Sequence, residues 1–476
     1  MSVRTAEAPT SARRHELLGA AGAWALVGVL LALIAITLPE LGSDPWHFRP
    51  GAVDPQGPLA PLVRAAGEEW DLGIARACAF GAALLCGAAA LTLFTARRSW
   101  PAWAGVALVL AVGVLLAAPS TLLQLGLRDS TAPWFFTNDS TYQIELAGDL
   151  LRHGHNPYGR DWRGSGLERF YTRDGSVSQR VNEREVALDH YAYFPGTVIT
   201  SAPWRLLPAP FDDYRLLILL CTLAMLPAAL AFRAPLAWRL VLGAVLVCNP
   251  IAVRSAWFGQ NDAPSLLLLV LSFALVARGR LGWAAAALAG AVLLKQFALV
   301  AVPFLALMVW KSGASRDELR RAAIVFGAVL AAGILPFLVW DPGAFWDDTV
   351  KYGAGTYKIV GYGLSAILVR LGIVDDRDGS YPFALIALLT WVPLTVWLLF
   401  AQRRAEELWL GAAAFAISVL WLMFIGRTFN NYYLVWPMTG AVIAGLLATA
   451  SASSASPPAP PAASSASPAR TAARGP

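Results

Sequence analysis

Asp139 lies in the stretch FFTNDSTYQ, three positions after a pair of phenylalanines, in a chain that otherwise avoids charge. A carboxylate held at a fixed depth beside an apolar surface can take a proton from a hydroxyl group. The same residue could cap a helix, since Asn138, Asp139 and Ser140 are all favoured there and acidic charge suits the positive helix end. A second cluster is Trp257-Phe258-Gly259-Gln260-Asn261-Asp262, with Arg254 close by in sequence. Gln260, Asn261 and Asp262 beside aromatic rings suit sugar hydroxyls. With Pro264 at the start of the next helix, Asn261 or Asp262 as simple caps is the other reading. Lys295, in ALLKQFALV, is an ionisable residue inside an apolar run. It calls for a counter-charge or an anionic ligand, unless it marks a helical hairpin turn near water. Arg427, in GRTFNNYYLVWP, has the same two readings, anion binding or snorkelling to an interface.

Other chemistries find little support in the residues. His153-Gly154-His155 could hold a metal, but two ligands without a third make a weak site; no Asp-x-Asp motif accompanies Asp139, since 137–141 reads TNDST, so metal-independent chemistry without a cofactor is expected. No nucleophile elbow and no glycine-rich phosphate loop is present. The four cysteines, Cys78, Cys86, Cys221 and Cys248, all lie in apolar segments, where the residue behaves as a small hydrophobe.

The elements that must carry these residues are membrane helices. Of 476 residues, 57% are hydrophobic and 14% charged, against roughly 25% charged in soluble domains. The net charge of +6 does not point to nucleic acid, because the basic residues sit in short clusters between apolar runs, as cytoplasmic loops do. The run from Leu17 to Leu38 is long enough to span a bilayer core of ~30 Å and lacks a small-residue cleavage site, so it reads as a retained first helix. Further apolar spans lie near 72–95, 101–126, 214–232, 236–252, 263–277, 282–310, 322–340, 383–401, 407–425 and 433–450. The 282–310 run reads as two short helices meeting at Lys295-Gln296. The expectation is an all-α polytopic membrane protein of about twelve transmembrane helices, with both termini cytoplasmic by the distribution of Lys and Arg. Segment 193–207, broken by Pro195 and Pro203, reads as lying at the interface. The loops 127–213 and 341–382 then face outward. Residues 451–476, almost only Ser, Ala and Pro with a few Arg, read as a disordered cytoplasmic tail.

The loop 127–213 is where chemistry is expected, being long, polar and charged: twelve charged residues lie from Arg160 to Asp189. Ser140-Thr141-Tyr142-Gln143 fits a capping box and Gly154 a helix stop, which predicts a helix from about Thr141 to His153. Tyr142, Leu146 and Leu150 repeat on one side of it, with Glu145, Asp149 and Arg152 elsewhere. This suits an amphipathic helix at the membrane surface. On this reading Asp139 is not needed as the cap.

The order of features resembles the GT-C glycosyltransferases: an outer-loop Asp after a membrane helix, then Gly154-His155-Asn156-Pro157-Tyr158, then Tyr191 to Pro195, then Phe258 to Asn261, then Leu294-Lys295 in a broken helix. More narrowly it is similar to bacterial polyprenyl-phosphate-mannose-dependent mannosyltransferases, including those that add α-1,2-linked mannose to phosphatidylinositol mannosides. The resemblance runs from about 101 to 450 and makes residues 1–100, with two helices, an addition ahead of a GT-C core. It implies Asp139 as the catalytic base and Lys295 near the donor phosphate. Arg254 and Arg427 are candidate phosphate contacts by placement. Gln260, Asn261, Asp262, Tyr158, His155 and Tyr193 are candidates for sugar or acceptor binding. The late His-Tyr pair of the wider superfamily reads Asn431-Tyr432 here.

The activity implied is inverting transfer of mannose from polyprenyl-phosphate mannose to a glycolipid or polysaccharide acceptor, at the outer face of a bacterial plasma membrane. A lipid phosphate is a good leaving group and needs no general acid, so one carboxylate suffices where a glycosidase needs two. Other lipid-linked pentose or hexose donors share this machinery. A secondary transporter or lipid flippase is the second reading, with Lys295, Asp139 and Asp262 as a gated ion pathway. The large charged loop and the lack of internal repeats speak against it.

Overall fold

Runs of Ala, Leu and Val leave the backbone no water to bond, so each apolar segment must satisfy its own N–H and C=O groups, as a helix does. The computed structural model describes residues 17–41, 57–66, 73–96, 99–130, 137–171, 186–356 and 359–455, and within them it is mostly helical. The helices are α1 (Ala20–Thr37), α2 (Ala60–Ala66), α3 (Gly73–Ala96), α4 (Ala102–Ser130), α5 (Asp139–Arg152), α6 (Pro195–Trp204), α7 (Tyr214–Leu230), α8 (Leu236–Cys248), α9 (Pro250–Phe258) and α10 (Ala263–Ala277). They continue as α11 (Leu281–Leu294), α12 (Ala301–Lys311), α13 (Arg316–Trp340), α14 (Pro342–Trp346), α15 (Leu364–Arg370), α16 (Phe383–Ile386), α17 (Val392–Arg404), α18 (Trp409–Ile425) and α19 (Val435–Ala455). Two-residue strands add little: Leu17–Leu18 pairs antiparallel with Trp100–Pro101, and Val360–Gly361 pairs parallel with Thr428–Phe429.

A helix stands at each of the twelve expected positions, but only six described helical segments are long and apolar enough to cross a bilayer, or seven if the bent pair α8–α9 counts as one. The others, α7, α10, α11, α18 and the stretch Gln296–Lys311, have fewer than eighteen residues. The N-terminal sixteen residues, Arg97-Arg98 and the Ser/Ala/Pro tail from 456 onward lie outside the described residues.

Two breaks interrupt the helices. Between α8 and α9 the chain bends by 43°. Asn249 there is extended, as a residue before proline must be, and its side chain caps α9 by accepting from the Ala252 N–H at 2.9 Å. The expected 236–252 span therefore continues to Phe258. The second break is at Lys295, which is extended (φ −154°, ψ 124°) between α11 and the short turn Gln296–Val300 that leads into α12. Two short helices meet at this pair, as the apolar run of 282–310 predicted.

Helix α1 is not peripheral. Its buried face shares the main core with α8 and α4, Thr37 Oγ1 donates to Cys248 O at 3.1 Å, and Glu40 just beyond it pairs with Arg254 at 3.6 Å.

Helix α5 departs from expectation at its start and on its polar side. It begins at Asp139, and its cap is Asn138, whose side chain accepts from the Ser140 N–H at 3.0 Å. Gln143 makes no capping box; its amide donates instead to His190 O at 2.8 Å. Glu145, taken as part of a polar face, is buried at 2% exposure, because Arg128 at the end of α4 grips its carboxylate and the Tyr214 N–H donates to it at 2.7 Å. Arg128 also reaches Asp213 at 2.8 Å, and Asp213 holds the fully buried Arg215 at 2.7 Å. Burial alone would raise the Asp213 carboxyl, but Arg215 and Arg128 hold it well below the usual carboxylate range. So α5 is locked against α4 and α7 by buried charge rather than resting on a membrane surface by its apolar side alone. A 3.6-residue period cannot reveal a partner on another helix.

Candidate functional site

The loop that ends α9 and the start of α5 are joined by backbone. The Asn138 N–H donates to Phe258 O at 2.7 Å, and the Thr141 hydroxyl donates to Gly259 O. Asp139, between those two ties, is therefore carried to the turn Gln260-Asn261-Asp262. Its half-buried carboxylate accepts from the Ser140 N–H at 2.7 Å, while Asn138 does the capping. Arg215 supports the turn from below by donating to Trp257 O at 3.2 Å.

Gly259 makes the turn possible. It closes α9 in the left-handed region at φ 88°, and a Cβ there would lie 3.0 Å from Thr137 Oγ1 and 3.2 Å from Thr141 Cβ. Gly259→Ala is expected to cost about 1–2 kcal/mol through backbone strain. The measurement is a drop in the thermal midpoint of the purified protein together with lower activity, and an unchanged midpoint would contradict the assignment of strain.

Within the turn the three side chains are almost completely buried: Gln260 4%, Asn261 3% and Asp262 2% exposed. Gln260 Oε1 accepts from the Ser255 hydroxyl at 2.8 Å. Asp262 stands at the cap position of α10 yet makes no capping bond. Its Oδ1 accepts from Trp436 Nε1 at 2.9 Å and lies 3.4 Å from Lys295 Nζ. Lys295 Nζ also donates to Asn261 Oδ1 at 2.5 Å and sits over the Tyr193 ring, 5.4 Å from its centroid. Two polar atoms remain buried without a hydrogen-bond partner, Asn261 Nδ2 and Asp262 Oδ2. A buried donor and a buried acceptor on adjacent residues are costly to leave unmade, and a ligand hydroxyl could satisfy both.

The break at Lys295 is fixed by close packing. At Gly196, the second residue of α6, a Cβ would lie 2.6 Å from both C and O of Leu293, so α6 meets α11 backbone to backbone just before the lysine. Gln296 then donates to Ala192 O at 2.9 Å, which ties the broken helix to the segment that carries Tyr193. Tyr432 lies within electrostatic reach of both Asp262 and Asp139.

The remaining candidates are more dispersed. Tyr158 is buried, edge-on to Tyr191, Phe337 and Phe345, and its hydroxyl donates to Tyr193 O at 2.8 Å, so its ring builds the wall behind Tyr193. His155 is exposed. Arg254 lies over Phe258, 5.6 Å from the ring centroid, and pairs with Glu40. Arg427 is buried at 7% exposure and donates to Gly379 O at 3.2 Å; its own carbonyl accepts from the Val360 N–H at 3.0 Å, which fastens it to the loop 341–382. Asp139, Gln260, Asn261, Asp262, Lys295 and Tyr193 thus form one group, and Tyr158 backs it. Arg254 and Arg427 have partners of their own.

Reading the residues in isolation misses the supports. Trp436 is 174 positions from the Asp262 it bonds, and no local pattern pairs them. His190 and Asp348 are likewise unforeseen: Asp348, 1% exposed, accepts from His190 Nδ1 at 2.7 Å and from the Gly159 N–H at 2.8 Å. Burial pushes the Asp348 carboxyl above the ordinary aspartate range, and those N–H donors pull it back.

The model of glycosyltransferase family 87 matches residues 191–426. The matched segment contains Tyr193, Arg254, Gln260, Asn261, Asp262 and Lys295; Asp139, His155 and Tyr158 precede it, and Arg427 follows it by one residue. No curated protein and no solved structure matches the chain. The family match, over a polytopic helical fold, indicates a membrane glycosyltransferase of the GT-C type.

Proposed function

From a membrane glycosyltransferase as premise, we propose that this chain moves mannose from polyprenyl-phosphate mannose to a glycolipid or polysaccharide acceptor, with inversion, at the outer face of the plasma membrane. The observation that carries this reading is the convergence of Asp139 and Lys295 on one turn. The acid is tied to it through Phe258 O and Gly259 O, and the lysine is bonded to Asn261 and Asp262. Inverting transfer from a lipid phosphate needs one base for the acceptor hydroxyl and one cation for the departing phosphate. The group contains one of each.

In this mechanism Asp139 accepts the acceptor's proton as its oxygen attacks the anomeric carbon, and the bond to the phosphate oxygen breaks on the opposite face. Lys295 receives the phosphate by a charge-assisted hydrogen bond. Asn261 Nδ2 and Asp262 Oδ2, the buried donor and acceptor without partners, hold donor sugar hydroxyls, and Gln260 supports them. Tyr193, on the face of Lys295, borders the sugar. Arg254 and Arg427 reach the phosphate only if they leave Glu40 and Gly379. A donor whose chain stays in the bilayer explains why these residues stand at helix breaks and helix ends.

The test incubates membranes containing the protein with polyprenyl-phosphate mannose, and in parallel with the glucose and arabinofuranose donors, and resolves products by mass. New mannosylated lipid or polysaccharide from the first donor is expected. A product from only one of the others would move the assignment to that sugar. Uptake into sealed vesicles without a new glycosidic bond would overturn transfer itself.

A further inference from the structure

The segment from His190 to Tyr193 is pinned at nearly every residue. His190 O accepts from Gln143, one turn after Asp139 on α5; Ala192 O accepts from Gln296, next to Lys295; Tyr193 O accepts from the Tyr158 hydroxyl. At one end the Tyr193 ring covers Lys295. At the other, His190 is held by the long loop after α13: Nδ1 meets Asp348 Oδ1 at 2.7 Å, and the ring stacks on Tyr352 with centroids 4.5 Å apart. Three residues of chain reach at most about 10 Å, so the backbone at His190 lies within that reach of Tyr193, whose ring covers Lys295.

The chemistry of this ring is specific. A buried carboxylate on Nδ1 favours the tautomer with the proton on that nitrogen, which leaves the Nε2 lone pair free to accept. With Nδ1 on Asp348 and one face on Tyr352, the side chain is still 23% exposed, and among the described residues nothing bonds Nε2. A structural clamp between two loops would use the Nδ1 contact and have no use for an open Nε2.

We propose that His190 contacts the acceptor: its Nε2 receives a hydrogen bond from an acceptor sugar hydroxyl at the loop end of the site, and Asp348 is the positioning residue that sets the ring. This rests on the glycosyltransferase reading above. The donor, whose phosphate belongs at Lys295, occupies the opposite end of the pinned segment, so His190 bears on acceptor affinity and leaves donor affinity alone. Asp139 still takes the proton of the attacking hydroxyl, while His190 orients a second hydroxyl of the same sugar.

Two substitutions separate contact from clamp. In His190→Asn the amide nitrogen stands where Nδ1 was and can still donate to Asp348, but nothing remains at Nε2. In His190→Gln the longer side chain brings an amide oxygen to the Nε2 position. Full-length protein in nanodiscs, with polyprenyl-phosphate mannose as donor and a phosphatidylinositol mannoside mixture as acceptor, is expected to show acceptor KM raised about tenfold in His190→Asn, as for one lost hydrogen bond. Donor KM should be unchanged, and His190→Gln should fall within about threefold of wild type. Wild-type behaviour in His190→Asn, or donor and acceptor constants rising together in both variants, overturns the proposal. A wild-type protein that transfers no mannose overturns the reading of this donor and acceptor on which the proposal rests, a different result from an active wild type whose variants are unchanged.

Discussion

Asp139→Asn is expected to lower sugar transfer by about 10³-fold, the middle of the range for losing a general base, with normal membrane abundance and a thermal midpoint lowered by no more than a few degrees. The reasoning starts from capping. Asn138 already occupies the cap of α5 and bonds the Ser140 N–H, and a carboxylate in the first turn, such as Asp139, adds about 0.3–1 kcal/mol. Asparagine keeps the size of the side chain and can still accept from the Ser140 N–H. What it cannot do is take a proton. Transfer rate and thermal stability, measured on the same preparation, therefore report different roles. Retained transfer would mean that Asp139 serves α5 and nothing else, and the base would have to be sought elsewhere on the same turn.

The second large effect lies at Lys295. Its side chain is 10% exposed, and Asp262, its partner at 3.4 Å, is 2% exposed, so solvent screens the pair little. Lys295→Met leaves a buried carboxylate with, among the described residues, only Trp436 to bond, and breaking such a pair from one side costs about 3–5 kcal/mol. Lys295→Met is therefore expected both to unfold earlier and to lose transfer. The double variant Lys295→Met/Asp262→Asn should regain most of the stability, since neither charge is then stranded, while transfer stays lost for want of a cation at the phosphate. Thermal midpoints of the two single variants and the double, set beside their transfer rates, complete the cycle. Recovery of transfer in the double variant would contradict a phosphate-binding role for Lys295, and additive loss of stability would contradict the pairing.

Lys295 was visible in the amino-acid order because a charge within an apolar run must have a reason, and the same logic picked out Asp139 and Asp262. The partner was harder to see. Lys295 and Asp262 are separated by all of α10 and α11, and these helices pack on each other, but only packing decides which turn faces which. The capping box at Ser140 and Gln143 was a local match that tertiary structure overrode: Gln143 finds a better acceptor in His190 O, and the cap moves back to Asn138. The polar stripe of α5 was misread for the same reason, since Glu145 is charged yet buried by Arg128 of α4 and the Tyr214 N–H of α7. Asp348 carried no signal at all, 158 residues from His190 in a loop of ordinary composition.

What the amino-acid order determined by itself is the class of solution: an apolar chain with sparse charge must become membrane helices, because every backbone group must be bonded within its own segment, and its few buried ionisable groups must gather where they can pair. The tertiary structure decided which of them meet. The bend at Asn249-Pro250 brings the end of α9 to α5, and the backbone approach at Gly196 fixes the break before Lys295. Hydrogen bonds and ion pairs act over a few ångströms, so a site assembled from residues more than a hundred positions apart exists only once the helices have packed.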